Sequence, residues 1–440
     1  MKLILGFSVP LLFGYLFQQL YNLVDTMIVG QFLGVDALAA VGATGSINFL
    51  IIGFCNGVCS GFALPVAHRF GAKDYKTLRK LYANSIWLSV IFAVVMTALT
   101  VIFCRPILTL MRTPANIFEY SYQYILIIFI GIPATYLFNL TSGMIRALGN
   151  SRAPLIILVI SSFLNVILDL VFILNFNMGV AGAAAATVLS QVVSGIICVI
   201  YICKKVEMLQ LSKDEWRMEK REMAELFNAG VPMGLQYSIT AIGSVILQSA
   251  VNTLGSDAVA SVTAASKISM FIVCPFDSMG ATMATYGGQN AGGYKLDRLH
   301  KGLGSCIILG AVYSVIGLLI IAAFGPHLLK LFVSGSETGI LADAQHFLLI
   351  NGLFYFPLAL VNIVRFMIQG MGFGFFAIIA GVLEMAARTL VGAVFVPIFG
   401  YNAACFASPL AWIFADCFLI PAYFVVWNRM KHHKEAYRQV

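Results

Sequence analysis

Charged residues are scarce in this chain. Of its 440 residues, 27 are Lys or Arg and 19 are Asp or Glu, so that 10% of the sequence is charged while 60% is hydrophobic. A soluble globular domain carries about 25% charged residues, and the composition excludes that class. The apolar stretches are long and continuous, as in membrane helices of about 20 residues, and lack the alternation of barrel strands. The sequence therefore predicts an all-α integral membrane protein.

Motifs that hold metals, nucleotides or catalytic nucleophiles are also missing. The sequence contains no HExxH, no phosphate-binding Gly-Lys loop and no paired cysteines at zinc-ligand spacing. Its nine cysteines are an odd number and lie mostly inside apolar segments, which argues against a disulfide framework. The short match GVCSG at 57–61 lies inside an apolar span and lacks the strand that a nucleophile elbow needs. We expect neither enzymatic activity nor a cofactor.

Twelve apolar segments of membrane-spanning length follow one another along the chain. We predict spans at 3–29, 37–67, 79–103, 118–146, 154–174, 180–203, 224–253, 258–289, 299–323, 343–369, 375–396 and 401–427. With a cytoplasmic N-terminus, 21 of the 27 basic residues fall in cytoplasmic loops and ends. The exceptions are Arg105, Arg112 and Lys330 outside, and Lys267, Arg365 and Arg388 within spans. The positive-inside rule thus predicts two cytoplasmic termini, and attributes the net charge of +8 to topology and not to nucleic-acid binding.

The chain contains an internal duplication. LGVDALAAVGATGSI at 33–47 matches LGSDAVASVTAASKI at 254–268 with eight identities in fifteen positions, at an offset of 221 residues. We predict a first six-helix bundle at 1–203, a solvated cytoplasmic linker at 204–223, a second bundle at 224–428 and a cytoplasmic tail at 429–440. Because six is even, the halves are parallel repeats, and transporters place their sites near the interface of such repeats.

Proline occurs early in the first span of each half, at Pro10 and Pro232. A proline inside a helix removes a backbone hydrogen bond and permits a bend. The pair is a candidate hinge, although proline is also common in membrane helices for other reasons.

Asp25 is the single residue with a formal charge between Leu3 and Val29. A charge at the bilayer centre costs about 2.5–3.5 kcal/mol or more unless it is paired, hydrated or neutralised. Asn165 and Asp169 share one face of the fifth span, and the sixth span carries Thr187. At 1.5 Å per residue, the four side chains lie roughly 6–14 Å below the outer surface. We predict that they bind Na⁺ or a proton; the alternative is that the acids only hydrogen-bond neighbouring helices.

The second half does not repeat this pattern. At the repeat offset Asp25 meets Ile246, and Asp169 meets Val391 or Gly392. Glu384 and Arg388 are instead an i,i+4 pair with the acid first, which indicates a structural ion pair. A polar cavity in this half is the alternative, and its candidate residues are Lys267, Asp277, Arg365, Glu384 and Arg388. Asp416 lies near the middle of the last span without an evident partner.

Several stretches together resemble the MATE family of multidrug and toxic compound extrusion transporters. They are YNLVDTMIVGQFLGVDALAAVG, HRFGAKDYKTL with its counterpart GQNAGGYKLDRL, and NVILDLVFI followed by GVAGAAAAT. The resemblance implies two six-helix bundles around a cleft, and export of cationic or amphipathic compounds in exchange for Na⁺ or H⁺. It also assigns the coupling role to Asp25, Asn165, Asp169 and Thr187. One branch of the family has further acids in the seventh and tenth spans, and this chain has none in the corresponding stretches.

The function expected from the sequence is that of a secondary antiporter with alternating access. It is expected to be a monomer in the plasma or inner membrane, with the lipid bilayer and a small-molecule substrate as its partners. A flippase for lipid-linked saccharides or peptides is the runner-up, because such a protein needs a cationic cavity. A channel or a membrane scaffold is a third alternative.

Overall fold

The architecture is helical throughout the part of the chain that the structure describes. The computed structural model describes residues 1–111, 113–333 and 337–432; Arg112 and residues 433–440 of the predicted tail lie outside these ranges. Within them no β-strand occurs. The helices of the first half are α1 (Lys2–Leu33), α2 (Val35–Ala72), α3 (Tyr75–Leu110), α4 (Phe118–Ile130), α5 (Ile132–Ala147), α6 (Arg152–Leu170) and α7 (Val180–Lys205). The predicted all-α class is confirmed.

The second half repeats this order. Its helices are α8 (Lys220–Asn252), α9 (Ser256–Gly292), α10 (Leu296–Leu329), α11 (Thr338–Leu353), α12 (Tyr355–Gly370), α13 (Gly374–Leu390), α14 (Val396–Phe399) and α15 (Tyr401–His432). In the described ranges ten helical segments are long and apolar enough to cross a membrane singly. The pairs α4–α5 and α11–α12, bent by 46° and 51°, bring the number to twelve.

Backbone irregularities recur at the repeat offset. The fourth span of the first half bends at Gly131, and its counterpart in the second half bends at Phe354. The fifth spans end in π-helical turns, Val171–Asn175 and Val391–Phe395. The glycines that follow these turns, Gly179 and Gly400, share a left-handed conformation with φ near +60°. The duplication seen in the sequence is thus also a duplication of local geometry.

The irregular turns bear on the register of the repeat near Asp169. Aligning the first residues of the π turns, Val171 and Val391, places Thr389 opposite Asp169, and aligning Gly179 with Gly400 places Leu390 there. Neither alignment puts an acid of the second half opposite Asp169.

Contacts between Cα atoms divide the chain into two compact units. The first unit is Phe13–Ser238, and the second combines Met1–Leu12 with the chain from Ile239 onward. Each has its own hydrophobic core, which includes Phe62, Phe129 and Tyr136 in the first unit. The bundles predicted at 1–203 and 224–428 follow the sequence repeat instead. The two definitions differ because α1 and α8 each have one end in the first unit and the other end in the second unit.

Glycines bring α2 and α8 close together inside the first unit. A Cβ atom on Gly57 would lie 2.7 Å from the Cα of Gly234, and one on Gly61 would lie 2.5 Å from the Cα of Gly230. The GVCSG stretch therefore serves helix packing, with GVPMG of α8 as its partner, since small residues four apart let two backbones approach. We call these four residues the glycine contact.

The linker 204–223 packs on the end of α3 and is not simply solvated as expected. It contains two 3₁₀ turns, Glu207–Leu209 and Lys213–Trp216, and Leu209 is buried. Arg79 pairs with Glu215 at 2.6 Å, and Lys80 pairs with Glu219 at 2.7 Å. The mixed charge that suggested solvation is explained by these partners, which lie far away in the sequence.

Candidate functional site

A polar cavity of about 210 Å³ lies among α1, α2 and α4 to α7 in the first unit. Asparagine, glutamine, serine and threonine side chains make up most of its lining. Among the described residues that line it, Asp25 is the only one with a formal charge. Ordered water fits a polar space of this size, because a single water needs only about 10–15 Å³. An otherwise apolar bundle therefore encloses a hydrophilic chamber with an acid in its wall.

The four site residues predicted from the sequence come together beside this cavity, and Asp25 and Thr187 line it. Asp25 is 7% exposed and Asp169 is fully buried, and their carboxyl groups lie close enough to interact. In the orientation that satisfies its amide, Asn165 donates to Asp169 Oδ2 at 2.9 Å and accepts from the backbone N–H of Thr187 at 3.1 Å. The i,i+4 spacing on α6 holds the amide and the acid on one face, as expected. Their role as a coupling site stays a prediction.

Two tyrosines that the sequence analysis missed complete the group. The hydroxyl of Tyr21 donates to Thr187 Oγ1 at 3.2 Å, and Tyr124 lies within electrostatic range of Asp25 and Asp169. Tyr21 precedes Asp25 by four residues on α1, so the helical spacing contained a signal for it. Tyr124 comes from α4 through the tertiary fold, and its sequence context gives no such signal.

The contact between two carboxyl groups limits the states of this site. Two ionised carboxylates repel each other, so the contact requires a shared proton or a cation that the oxygens bind together. In the part of the chain that the structure describes, Asp25 Oδ1 and Asp169 Oδ1 are buried without a hydrogen-bond partner, which leaves two lone-pair positions for such a ligand. Carboxylate, amide and hydroxyl oxygens are ligands that small hard cations prefer. The residues therefore fit either H⁺ or Na⁺.

The backbone next to Asp169 is unusual for a helix. α6 passes into the π turn Val171–Asn175 two residues after the acid. π turns inside α-helices occur frequently at functional sites. In the described ranges no group of three or more His, Cys, Asp or Glu is placed to hold a metal ion.

Charged residues of the second unit form a separate buried cluster. Glu384 accepts hydrogen bonds from Arg365 of α12 and, at 3.3 Å, from Arg388 of α13. All three side chains are at most 7% exposed. The predicted Glu384–Arg388 pair is present, and Arg365 joins it from a different helix. We call these three residues the second-unit cluster.

The other two candidates for a second-half polar cavity lie elsewhere. Lys267 and Asp277 are exposed on α9, and no ion pair of the described residues joins them to the second-unit cluster. Asp416 of α15 is 7% exposed, and neither of its carboxyl oxygens has a hydrogen-bond partner in the described ranges. Its electrostatic partner is Arg365.

A duplicated bundle of membrane-length helices with an acid in the wall of a polar cavity defines a helical membrane transporter. The MatE family profile matches residues 10–171 and 232–398, one match in each half. The chain therefore belongs to the MatE family.

Curated relatives agree with this assignment. The chain is 30% identical over 339 residues to the "Probable multidrug resistance protein YoeA" of Bacillus subtilis, covering 76% of this chain and 73% of that protein. It is 22% identical over 402 residues to the "Multidrug export protein MepA" of Staphylococcus aureus, covering 90% and 88%.

Solved structures share the fold over nearly the whole chain. A crystal structure described as "MATE in the bent conformation" matches with a TM-score of 0.89 and 24% identity, covering 99% of this chain and 96% of that one. The structure described as "MATE in the straight conformation" matches with a TM-score of 0.86 and 24% identity, covering 100% and 97%. At this identity the likeness concerns the fold alone.

Proposed function

We propose that the chain is a multidrug antiporter that exports cationic or amphipathic small molecules in exchange for H⁺ or Na⁺. The observation that carries the proposal is the close approach of the Asp169 carboxyl group to that of Asp25, which lies in the wall of the polar cavity. The names of the relatives, which refer to multidrug resistance and multidrug export, support the substrate class.

Exchange follows from competition for one pair of acids. A proton or Na⁺ bound at the pair lowers its negative charge from two to one, so the attraction of the cavity for a cationic substrate weakens. When the ion leaves, the second negative charge returns and strengthens that attraction. A ligand shifts a two-state equilibrium only by its difference in affinity for the two states, and the pair supplies that difference.

Alternating access completes the proposal. α1 and α8 each belong partly to one unit and partly to the other, and Pro10 and Pro232 lie inside them. A proline that has removed a backbone hydrogen bond lowers the cost of bending a helix at that point. We propose these two prolines as hinges, with the protein acting as a monomer with both termini in the cytoplasm.

The flippase alternative has less support. It requires cationic side chains that are available to an anionic lipid-linked substrate. Arg365 and Arg388 are both hydrogen-bonded to Glu384 inside the second unit. A flippase would have to break a buried cluster in order to bind its substrate there.

The test is transport in vesicles containing the purified protein. We expect Asp25→Asn and Asp169→Asn each to reduce gradient-driven export of a cationic dye to the rate without a gradient, because an amide neither releases a proton nor carries the charge. Asp36→Asn is the matched control, since Asp36 is exposed in the first turn of α2 outside the cavity. Imposing pH and Na⁺ gradients separately identifies the ion. Retained gradient dependence in both variants would remove the proposed site.

A further inference from the structure

We propose that the cavity of the first unit selects organic cations that carry several N–H donors, such as amidinium, guanidinium and primary ammonium groups. Cations of equal size and charge that lack N–H groups are bound more weakly. This inference rests on the proposed function, because it names the substrate class of the same cavity.

The hydroxyl groups of the cavity wall can accept hydrogen bonds from a ligand, because their own hydrogens are already used. Six serine and threonine side chains line the cavity, and every one already donates its hydrogen to the protein. The acceptors are a backbone carbonyl for Ser161, Ser162, Thr187, Ser190 and Ser194, and the side-chain oxygen of Gln191 for Thr135. These distances lie between 2.6 and 3.1 Å. Because a hydroxyl has one hydrogen and two lone pairs, what remains for a ligand is acceptor capacity.

Within the described ranges, three further acceptors are buried without a partner. They are Asp25 Oδ1 on α1 and the side-chain oxygens of Asn48 and Asn56 on α2, all in cavity-lining residues. Asn48, Ile52 and Asn56 follow one another at four-residue spacing on one face of α2, so the two amides lie about 12 Å apart along the helix axis. Unpartnered buried acceptors are costly, and a ligand toward which these side chains rotate recovers that cost by donating to them.

A donor-rich cation fits these features better than a quaternary one. An amidinium ion has a positive charge for Asp25 and N–H groups for the surrounding acceptors. Charge-assisted hydrogen bonds are roughly twice as strong as neutral ones. A quaternary ammonium ion satisfies the charge but leaves the acceptors unpaired and shielded from water. Among the described residues that line the cavity, five side chains are wholly apolar, namely Ile52, Ile128, Phe138, Leu158 and Val188, and they are available to the apolar body of either ion.

Two matched probes test this inference in the purified full-length protein. Benzamidinium and phenyltrimethylammonium carry the same charge on a similar phenyl body, and only the first has N–H groups. We expect calorimetric titration to show benzamidinium binding about tenfold tighter or more, the value of one hydrogen bond to a charged group. An apolar cavity would reverse the order, because the quaternary ion is easier to dehydrate.

Variants of single residues then show which side chains cause the preference for N–H donors. Asn56→Leu and Asn48→Leu should each reduce the affinity ratio of the two probes by several-fold. Gly45→Ala, on α2 but outside the cavity, should leave both affinities and their ratio as in the wild type, because a Cβ at Gly45 meets nothing within 4 Å. The ratio of the two probe affinities in the wild-type protein tests the inference even if a substitution prevents folding.

The outcomes separate this inference from the proposed function. If both probes bind, if Asp25→Asn abolishes the binding of both, and if their ratio is near one or inverted, the cavity binds cations but the preference for N–H donors is wrong. If neither probe binds, or if Asp25→Asn leaves both affinities unchanged, the cavity is not the cation site and the proposed function also fails there. A ratio near ten or above that falls in both asparagine variants supports the inference.

Discussion

Glu384 accepts hydrogen bonds from two guanidinium groups in the second-unit cluster. Removing one member of a buried ion pair leaves an uncompensated charge and costs about 3–5 kcal/mol. Asp416 is the remaining acid near Arg365, and it makes no hydrogen bond to that side chain in the described residues. The stability of this cluster therefore depends on Glu384 more than on either arginine.

This dependence gives a prediction at the residue scale. Glu384→Gln should lower the thermal unfolding midpoint strongly, because two cations lose their acceptor. The double variant Glu384→Gln with Arg388→Met should be less destabilised, because it removes one cation with the acid. Thermal unfolding midpoints in detergent measure the stability of both variants. Equal losses in the single and double variants would contradict the shared role of Glu384.

The same double variant tests where coupling resides. If the acid pair of the first unit carries ion coupling, the ratio of transport with and without the ion gradient should match the wild type at whatever rate remains. A collapsed ratio in this variant, together with gradient-driven transport in Asp25→Asn, would place coupling in the second unit.

At the scale of elements, the glycine contact holds α2 against α8 within the first unit. The atoms that a Cβ on Gly61 would meet belong to the backbone of Ala229 and Gly230, at 2.5 Å. Backbone atoms cannot move aside as a flexible side chain can, so any larger residue must separate the two helices. Gly45 also lies on α2, and a Cβ there meets nothing within 4 Å.

The two glycines provide a matched comparison. Gly61→Ala should destabilise the protein by about 1–3 kcal/mol through overpacking. Gly45→Ala should be neutral or stabilise it by about 0.5–1 kcal/mol, because alanine loses less backbone entropy in a helix. Thermal unfolding of the two variants side by side measures the difference. Similar midpoints would mean that α2 and α8 do not need this close approach.

At the scale of the whole molecule, the linker that joins the two halves in sequence is fixed to the first unit. Partial burial disfavours the charged form of Glu215, but hydrogen bonds from the Ser212 backbone N–H and from Arg79 outweigh it. The pKa of Glu215 is therefore below its ordinary value of 4.5. The rings of Trp87 and Trp216 meet edge to face at 6.4 Å in the same contact.

The direction of this shift predicts how docking depends on pH. A carboxyl whose pKa is lowered by folding contributes stability above its unfolded pKa and loses it as the pH falls through the folded value. The linker should therefore remain docked at neutral pH and detach only below about pH 4. Near-ultraviolet circular dichroism of the tryptophan pair should follow the change. Glu215→Gln should weaken docking already at pH 7, whereas Glu207→Gln, at an exposed position, should not.

Much of the fold and part of the site were predictable from local patterns. Apolar run length determined the helical membrane class, and the offset of 221 residues revealed the duplication, because both are properties of contiguous sequence. Asp25, Asn165, Asp169 and Thr187 could be grouped because the rise of a helix fixes the depth of each residue. Tyr124 could not be found in this way, since depth alone does not say which helices are neighbours.

The sequence by itself determined the class, the repeat and the acids that need a partner, since burying a charge in a membrane is costly wherever the helix packs. Only the tertiary structure decided the partners. It joined Arg365 to the Glu384–Arg388 pair, which looked complete on one helix. It also docked the charged linker on α3, where Arg79 and Lys80 pair with the acids of the linker. It also directed the hydroxyl hydrogens of Ser161 and Thr135 to acceptors on α7, the backbone carbonyl of Ser190 and the side chain of Gln191. Lateral packing of helices depends on complementary surfaces distant in the chain, and no local pattern records it.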